Sequence, residues 1–310
     1  MFDNACSRRQ FLGLAGSVAA FAGLGLAGCG GNDVATAAGS AAEAKKVTGT
    51  VTYDGASSFQ ALVEAAAEQF MAENPDCSIS GSGNGSGTGL TAVASGTVTI
   101  GNSDVFAEEK LEAADAEKLV DHEVAVVGMG PVVSKNVTVD DLTLEQLAGI
   151  FSGEITNWSE VGGEDAKIVV LNRKAGSGTR ATFEAAVFGA DVPEFAGDAE
   201  LDKSGDVQTQ LGGTDNAISY LDFSHFDDAK FTAIKVGGVE PKSDNVLDDS
   251  FPIWATEHMY CAKDADEATV AFLEYMLSED VQGSLVEEQG FIPVSEMKVI
   301  KDAEGNVTSK

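Results

Sequence analysis

Three stretches of this sequence put hydroxyls and free backbone N–H groups where an anion could be held. Val47 to Tyr53 alternates as a strand and runs into Asp54-Gly55-Ala56-Ser57-Ser58-Phe59 ahead of a helix. Cys77 to Ser80 leads into Gly81-Ser82-Gly83-Asn84-Gly85-Ser86-Gly87-Thr88-Gly89 and a second helix. Lys167 to Asn172 delivers Arg173-Lys174-Ala175-Gly176-Ser177-Gly178-Thr179-Arg180 to a third. A helix N-terminus carries unsatisfied N–H groups and the positive end of the helix dipole. Strand, glycine- and hydroxyl-rich turn, helix is therefore an oxyanion-binding arrangement. One such turn alone reads as a surface loop; three in one chain predict convergence on a common ligand.

The nucleotide and hydrolase templates fail letter by letter. Gly83-x-Gly85 is followed by Thr88 where a dinucleotide fingerprint needs its third glycine, and no Gly-Lys-Ser/Thr completes a phosphate loop. Neither Ser86 nor Ser177 sits in a Gly-x-Ser-x-Gly elbow. His122, His225 and His258 are scattered and no CxxC is present, so neither a metal nor a cofactor is expected. Spacing alone leaves open whether Cys77 and Cys261 are joined.

The elements that must position these turns alternate strand with helix. A helix follows Phe59, with Leu62, Val63, Ala66, Phe70 and Met71 at three- to four-residue intervals. Thr97 to Asn102, Val124 to Val133, Ala217 to Leu221, Phe231 to Val236 and Ile253 to Cys261 read as strands. Leu144 to Ile150, Asp266 to Leu277 and Asp280 to Gln289 read as helices. The pattern predicts an α/β fold. Fifty acidic against 19 basic residues give a net charge of −31, which disfavours nucleic acid as a partner. That charge does not disfavour a small anion, because surface carboxylates beyond about 8–10 Å are largely screened.

Phe151-Ser152-Gly153-Glu154-Ile155-Thr156-Asn157-Trp158 with Val161-Gly162-Gly163, followed by Asn172 to Arg180, resembles the phosphate-binding proteins of bacterial phosphate ABC transporters. Gly55 to Phe59, Gly85-Ser86-Gly87, Gly101-Asn102-Ser103-Asp104 and Gly290-Phe291-Ile292-Pro293 extend the likeness over the whole body. The resemblance implies a two-lobed periplasmic-binding-protein type II fold with two crossing hinge segments, near Val124 to Val133 and near Phe251 to Cys261. Lobe 1 would comprise 47–125 and 255–310, and lobe 2 would comprise 126–254. It further implies that inorganic phosphate is bound by Ser58, the Phe59 amide, Ser86 and Asp104 from one lobe and by Arg173, Ser177, Gly178 and Thr179 from the other, then passed to a membrane permease. Arg180 belongs to the same motif. Where the family often has adjacent serines this chain has Ser86-Gly87-Thr88. In such a site Asp104 would accept the proton that phosphate carries and sulfate lacks, although a helix cap or an ion pair with Arg173 would also account for a carboxylate there. Binding or sensing of another tetrahedral oxyanion, and a secreted phosphatase, are the competing readings.

Residues 1–28 read as an export signal. Ser7-Arg8-Arg9-Gln10-Phe11-Leu12 is a twin-arginine pattern ahead of an apolar run to Leu26. That run is short for a bilayer core, which takes about 20 residues. It ends at Leu26-Ala27-Gly28-Cys29, which resembles a bacterial lipobox whose cysteine carries the lipid. Residues 29–46, poor in large apolar side chains, read as a flexible tether to the membrane. Cys29→Ala should therefore release the protein from the membrane fraction while leaving ligand binding intact, which fractionation followed by titration would check. A variant that stays in the membrane would contradict the lipobox reading.

Overall fold

The computed structural model describes residues 46–194 and 197–310. The twin-arginine segment, Cys29 and the tether as far as residue 45 lie outside the described residues. β1 (Gly49–Gly55) buries Val51, Tyr53 and Gly55 at alternate positions, and α1 (Gln60–Glu73) turns Leu62, Val63, Ala66 and Phe70 inward. β2 (Cys77–Ser82), α2 (Ser86–Ala94) and β3 (Ile100–Ser103) follow, then α3 (Ala113–Ala116) and the 16-residue β4 (Leu119–Ser134). The middle of the chain supplies β5 (Asp141–Leu142), α4 (Leu144–Ser152), β6 (Val169–Arg173), α5 (Gly178–Phe188), β7 (Ala199–Leu201), α6 (Ser204–Gly213) and β8 (Ala217–Asp222). After β9 (Phe231–Ala233), β10 (Lys235–Val236) and α7 (Ser243–Val246), the chain returns through β11 (Trp254–Ala262). It ends with α8 (Glu267–Met276), α9 (Val286–Glu288), β12 (Ile292–Pro293) and the hairpin β13 (Val299–Lys301) and β14 (Val307–Ser309).

The strands run in the order β2-β1-β3-β11-β4-β8-β6-β7. β1 is parallel to β2 and β3, and β6 is parallel to β7 and β8. β11 lies antiparallel to β3 and β4, and β4 antiparallel to β8. Two parallel half-sheets are thus joined by an antiparallel pair, the α/β, two-lobed arrangement expected from the sequence. β4 belongs to both halves: it pairs with β11 from Leu119 to Gly128 and with β8 from Met129 to Val133. In each parallel half the strand C-termini open onto helix N-termini, the place where α/β sheets bind ligands.

Local chemistry sets the element ends. Thr143 caps α4 by accepting from the Gln146 amide at 3.1 Å, while the Gln146 side chain reaches back to the Thr143 N–H. Gly153 then ends that helix in the left-handed region, at φ 81°. The Phe151 to Trp158 motif proves to be scaffold. Phe151 packs edge-on against Phe183 at 4.8 Å, and buried Trp158 donates its Nε1–H to the Asn216 carbonyl at 3.0 Å. Phe291 of the C-terminal motif packs edge-on against Phe59 at 5.8 Å.

Several boundaries differ from expectation. The third strand begins at Ile100 rather than Thr97, because the Thr97 amide still bonds back to Ala92 at 2.8 Å in the turn that closes α2. The strand expected over Phe231 to Val236 is split at Ile234, whose amide bonds Pro131, after which β10 leaves to pair with β5. The helix expected over Asp280 to Gln289 is a π-turn, Val281–Leu285, running into α9. Cys77 and Cys261 are buried free thiols, with β1 and β3 lying between their strands.

Gly89 shows how tightly α2 sits on the sheet. A Cβ there would lie 2.5 Å from the Asp54 carbonyl oxygen and from the Gly55 Cα, both backbone atoms that cannot swing aside. Gly205, within α6, faces open space. Gly89→Ala should cost about 1–3 kcal/mol through overpacking, whereas Gly205→Ala should stabilise by roughly 0.5–1 kcal/mol. Urea unfolding of the two variants checks the contrast.

Candidate functional site

The three turns meet. Asp104, one residue past the end of β3, accepts from Ser58 Oγ at 2.7 Å through Oδ1 and from Thr179 Oγ1 at 3.0 Å through Oδ2. Its own N–H donates to Ser86 Oγ at 3.1 Å. Ser58 precedes α1, Ser86 opens α2 and Thr179 stands in the first turn of α5, so one carboxylate gathers three helix N-termini. Its oxygens cap no helix, and among the described residues it makes no direct ion pair with Arg173.

Ser177 is the N-cap of α5, accepting the Arg180 N–H at 3.2 Å. Gly178 follows because nothing larger fits: a Cβ there would stand 2.1 Å from Ser86 Oγ and 2.9 Å from the Cβ and Cγ of Asp104. The Gly87 amide donates to the Gly176 carbonyl at 3.1 Å, so the backbones of the second and third turns touch. Phe59 contributes its backbone at the start of α1, while its ring is fully buried.

Arg173 ends β6 and is 1% exposed. Its Nη1 donates to Ser204 Oγ at 3.2 Å, and its Nη2 donates to Ser57 Oγ at 3.3 Å and to the Asp202 carbonyl at 2.9 Å. Its Nε–H is buried with no partner among the described residues. Burial lowers the pKa of the guanidinium, opposed by Tyr220, Asp104 and Asp222. Arg180 is turned away from this cluster: it holds the Arg173 carbonyl at 2.7 Å and pairs with Glu184 at 2.6 Å and Glu200 at 3.1 Å. Tyr220 supports β6 from behind, donating to Asn172 Oδ1 at 2.6 Å and stacking on Phe183 at 4.1 Å.

Of the eight residues expected from the sequence, six lie at these converging helix starts and Asp104 and Arg173 lie at the ends of β3 and β6; all eight are buried. Ser57 and Ser204 join them unexpectedly, the Ser204 amide donating to Ser57 Oγ at 3.3 Å. Ser204 opens α6 after Leu201-Asp202-Lys203, a fourth strand-turn-helix junction. Its signal was present in Ser204-Gly205 but faint, since α6 buries only Ser204, Val207 and Leu211. Buried Glu257 was missed altogether.

Burial pushes the Asp104 carboxyl above the usual range, and the Ser58 hydroxyl pulls it part of the way back. Burial would also raise Asp222, but His225, with Nδ1 at 2.8 Å, more than offsets it, leaving the Asp222 carboxyl low. The converse holds for His225, where Asp222 outweighs burial and raises the imidazole. A separate cavity of about 590 Å³ lies beside Asp104, lined among others by Phe106, Thr182, Trp254, His258 and Lys301. Of the expected ligand residues only Asp104 reaches it, and Glu109, Asp249 and Asp302 on its walls make it poor for an anion. The converging helix starts are therefore the better anion site. Among the described residues no group of three or more His, Cys, Asp or Glu is placed to hold a metal, and no helix is long and apolar enough to cross a membrane.

The PBP superfamily domain matches residues 39–280. The Phosphate-binding protein PstS of Bacillus subtilis is 47% identical over 283 residues, covering 88% of this chain and 93% of that one. A Clostridium perfringens structure, named for phosphate ABC transporter substrate binding and holding bound phosphate, superposes with a TM-score of 0.74 at 34% identity, covering 79% of this chain and all of the other. An ABC-type phosphate transport receptor from Vibrio cholerae gives a TM-score of 0.64 at 28% identity, covering 78% of this chain and 99% of the other.

Proposed function

The chain belongs to the PBP superfamily, among its phosphate-binding proteins, and we propose that it binds inorganic phosphate between its lobes and delivers it to the permease of an ABC transporter. The observation that carries this reading is the single buried acceptor among converging donors. Ser58, Ser86, Ser177 and Thr179 offer hydroxyls, the starts of α1, α2 and α5 offer amides, and Arg173 offers a buried cation. Asp104 is the ionisable acceptor among them, bonded by Ser58 and Thr179. A buried carboxylate beside an anion is unfavourable unless the ligand brings a proton to share, and hydrogen phosphate does so whereas sulfate does not.

In this reading lobe 1 is 47–125 with 255–310, lobe 2 is 126–254, and β4 and β11 carry the hinge crossings. Donors drawn from both lobes give a ligand that bridges them a reason to favour the closed arrangement. In this reading the protein acts by binding and release, a role supported by relatives named as binding proteins, and turnover of phosphate esters by the purified protein would contradict it. Export by the twin-arginine signal and a lipid on Cys29 would keep it on the extracytoplasmic face of the membrane, beside its permease.

Asp104→Asn tests the reading. A charge-assisted bond to the ligand proton is worth about 1.5–3 kcal/mol, roughly 10- to 150-fold in affinity. The amide removes the repulsion toward sulfate and can donate to it, so the phosphate-to-sulfate affinity ratio should fall by at least tenfold while phosphate still binds. Calorimetric titration with both anions reads that ratio, and a value within about twofold of wild type would mean that Asp104 does not read the proton.

A further inference from the structure

A second carboxyl faces Asp104. β11 runs antiparallel to β3 with Met259 opposite Asn102 and His258 opposite Ser103, so the next step of the ladder sets Glu257 across from Asp104. The β4–β11 register slips between Glu257 and His258, the kind of bulge that re-aims a strand side chain. Glu257 is 0% exposed. The strand register therefore sets its buried carboxyl beside that of Asp104. Neither of its oxygens accepts an N–H or O–H bond from any described residue.

Two carboxyls facing each other away from water cannot both ionise, so the pair retains a proton. Hydrogen bonds decide which oxygen keeps it. Asp104 accepts two hydroxyls and is stabilised as the anion, whereas Glu257 accepts none and is left as the acid. We propose that Glu257 is a specificity-determining residue of the phosphate site, held as the neutral acid and donating its proton to Asp104, so that the pair meets the anion with one negative charge instead of two. Glu109, Asp249, His258, Lys301, Asp302 and Glu304 line the cavity on the other side of Asp104; the charged groups that bear most directly on the pair are Arg173, Asp222 and His225. With His225 protonated against Asp222, these groups and Asp104 sum to zero, and an ionised Glu257 would set a net negative charge where the anion must enter. Burial first, then Asp104 and Asp222, hold the Glu257 carboxyl well above the usual range. The inference takes its ligand from the phosphate reading, but the location of the proton can be tested without any ligand.

A raised acid favours the protonated folded state, and that advantage is lost as pH climbs from the ordinary glutamate value toward the folded one. Glu257→Gln keeps a donor toward Asp104 and cannot ionise. Measured without ligand, the unfolding constant of wild type relative to Glu257→Gln should rise about tenfold per pH unit from about pH 4.5 upward. A flat difference across that range would overturn the proposal. In phosphate titrations from about pH 6 to about pH 10, changes in the ligand and in His225 are common to both proteins. Wild-type affinity should therefore fall relative to the variant only where the stability slope levels off, and a loss already complete by about pH 6 would place the charge on Glu257 and overturn it. Absence of phosphate binding by wild type at every pH would instead sink the phosphate reading, with the ligand-free stability difference still deciding the proton. Should the variant fail to fold, the infrared spectrum of wild type at neutral pH must contain a protonated-carboxyl band, and its absence would overturn the assignment.

Discussion

The carboxylate of Asp104, bonded on one oxygen by Ser58 and on the other by Thr179, constrains much of what surrounds it. Ser58 comes from the half-sheet of β1 to β3 and Thr179 from the half-sheet of β6 to β8, so a single buried anion fixes two helix starts from opposite halves of the molecule. The close approach that this demands excludes a side chain at Gly178. It also places Ser86 Oγ under the Asp104 amide. The rest of the cluster, Arg173 with Ser57 and Ser204, extends the same arrangement to the start of α6.

A chain of net charge −31 can present such a site because the relevant electrostatics are local. Helix N-termini, hydroxyls and one buried guanidinium act within a few ångströms, whereas distant surface carboxylates are screened within about 8 Å at physiological ionic strength. Inside the cleft the balance is finer. Arg173 and the His225–Asp222 pair set the charge that Asp104 and Glu257 must complement, and Tyr220 and Phe183 hold β6 so that Arg173 arrives at a defined place. The Phe151 to Trp158 motif serves the same end from the core, Phe151 packing on Phe183 and Tyr220.

The site was legible in the sequence to the extent that its chemistry was local. Strand, glycine and hydroxyl turn, helix is a short-range pattern, so the turns at Ser58, Ser86 and Ser177 could be read from spacing, and the family likeness supplied Asp104 and the remainder. Ser204 escaped because α6 has too few apolar residues to announce a helix. Glu257 escaped for a deeper reason: its position depends on the register of β11 against β3, residues more than 150 apart in the chain, and nothing near Glu257 records that pairing. The split of the strand expected over Phe231 to Val236 has the same origin, since β9 joins β4 while β10 joins β5.

The central claim is that converging helix starts around one buried acceptor select a protonated tetrahedral anion. It is tested most directly by calorimetric titration of the ligand-free wild-type protein with phosphate and with sulfate under identical conditions. The account predicts one phosphate per chain and sulfate binding weaker by at least about tenfold, the lower end of what a single charge-assisted hydrogen bond contributes. Equal affinity for the two anions, or no heat of binding with phosphate, would contradict it.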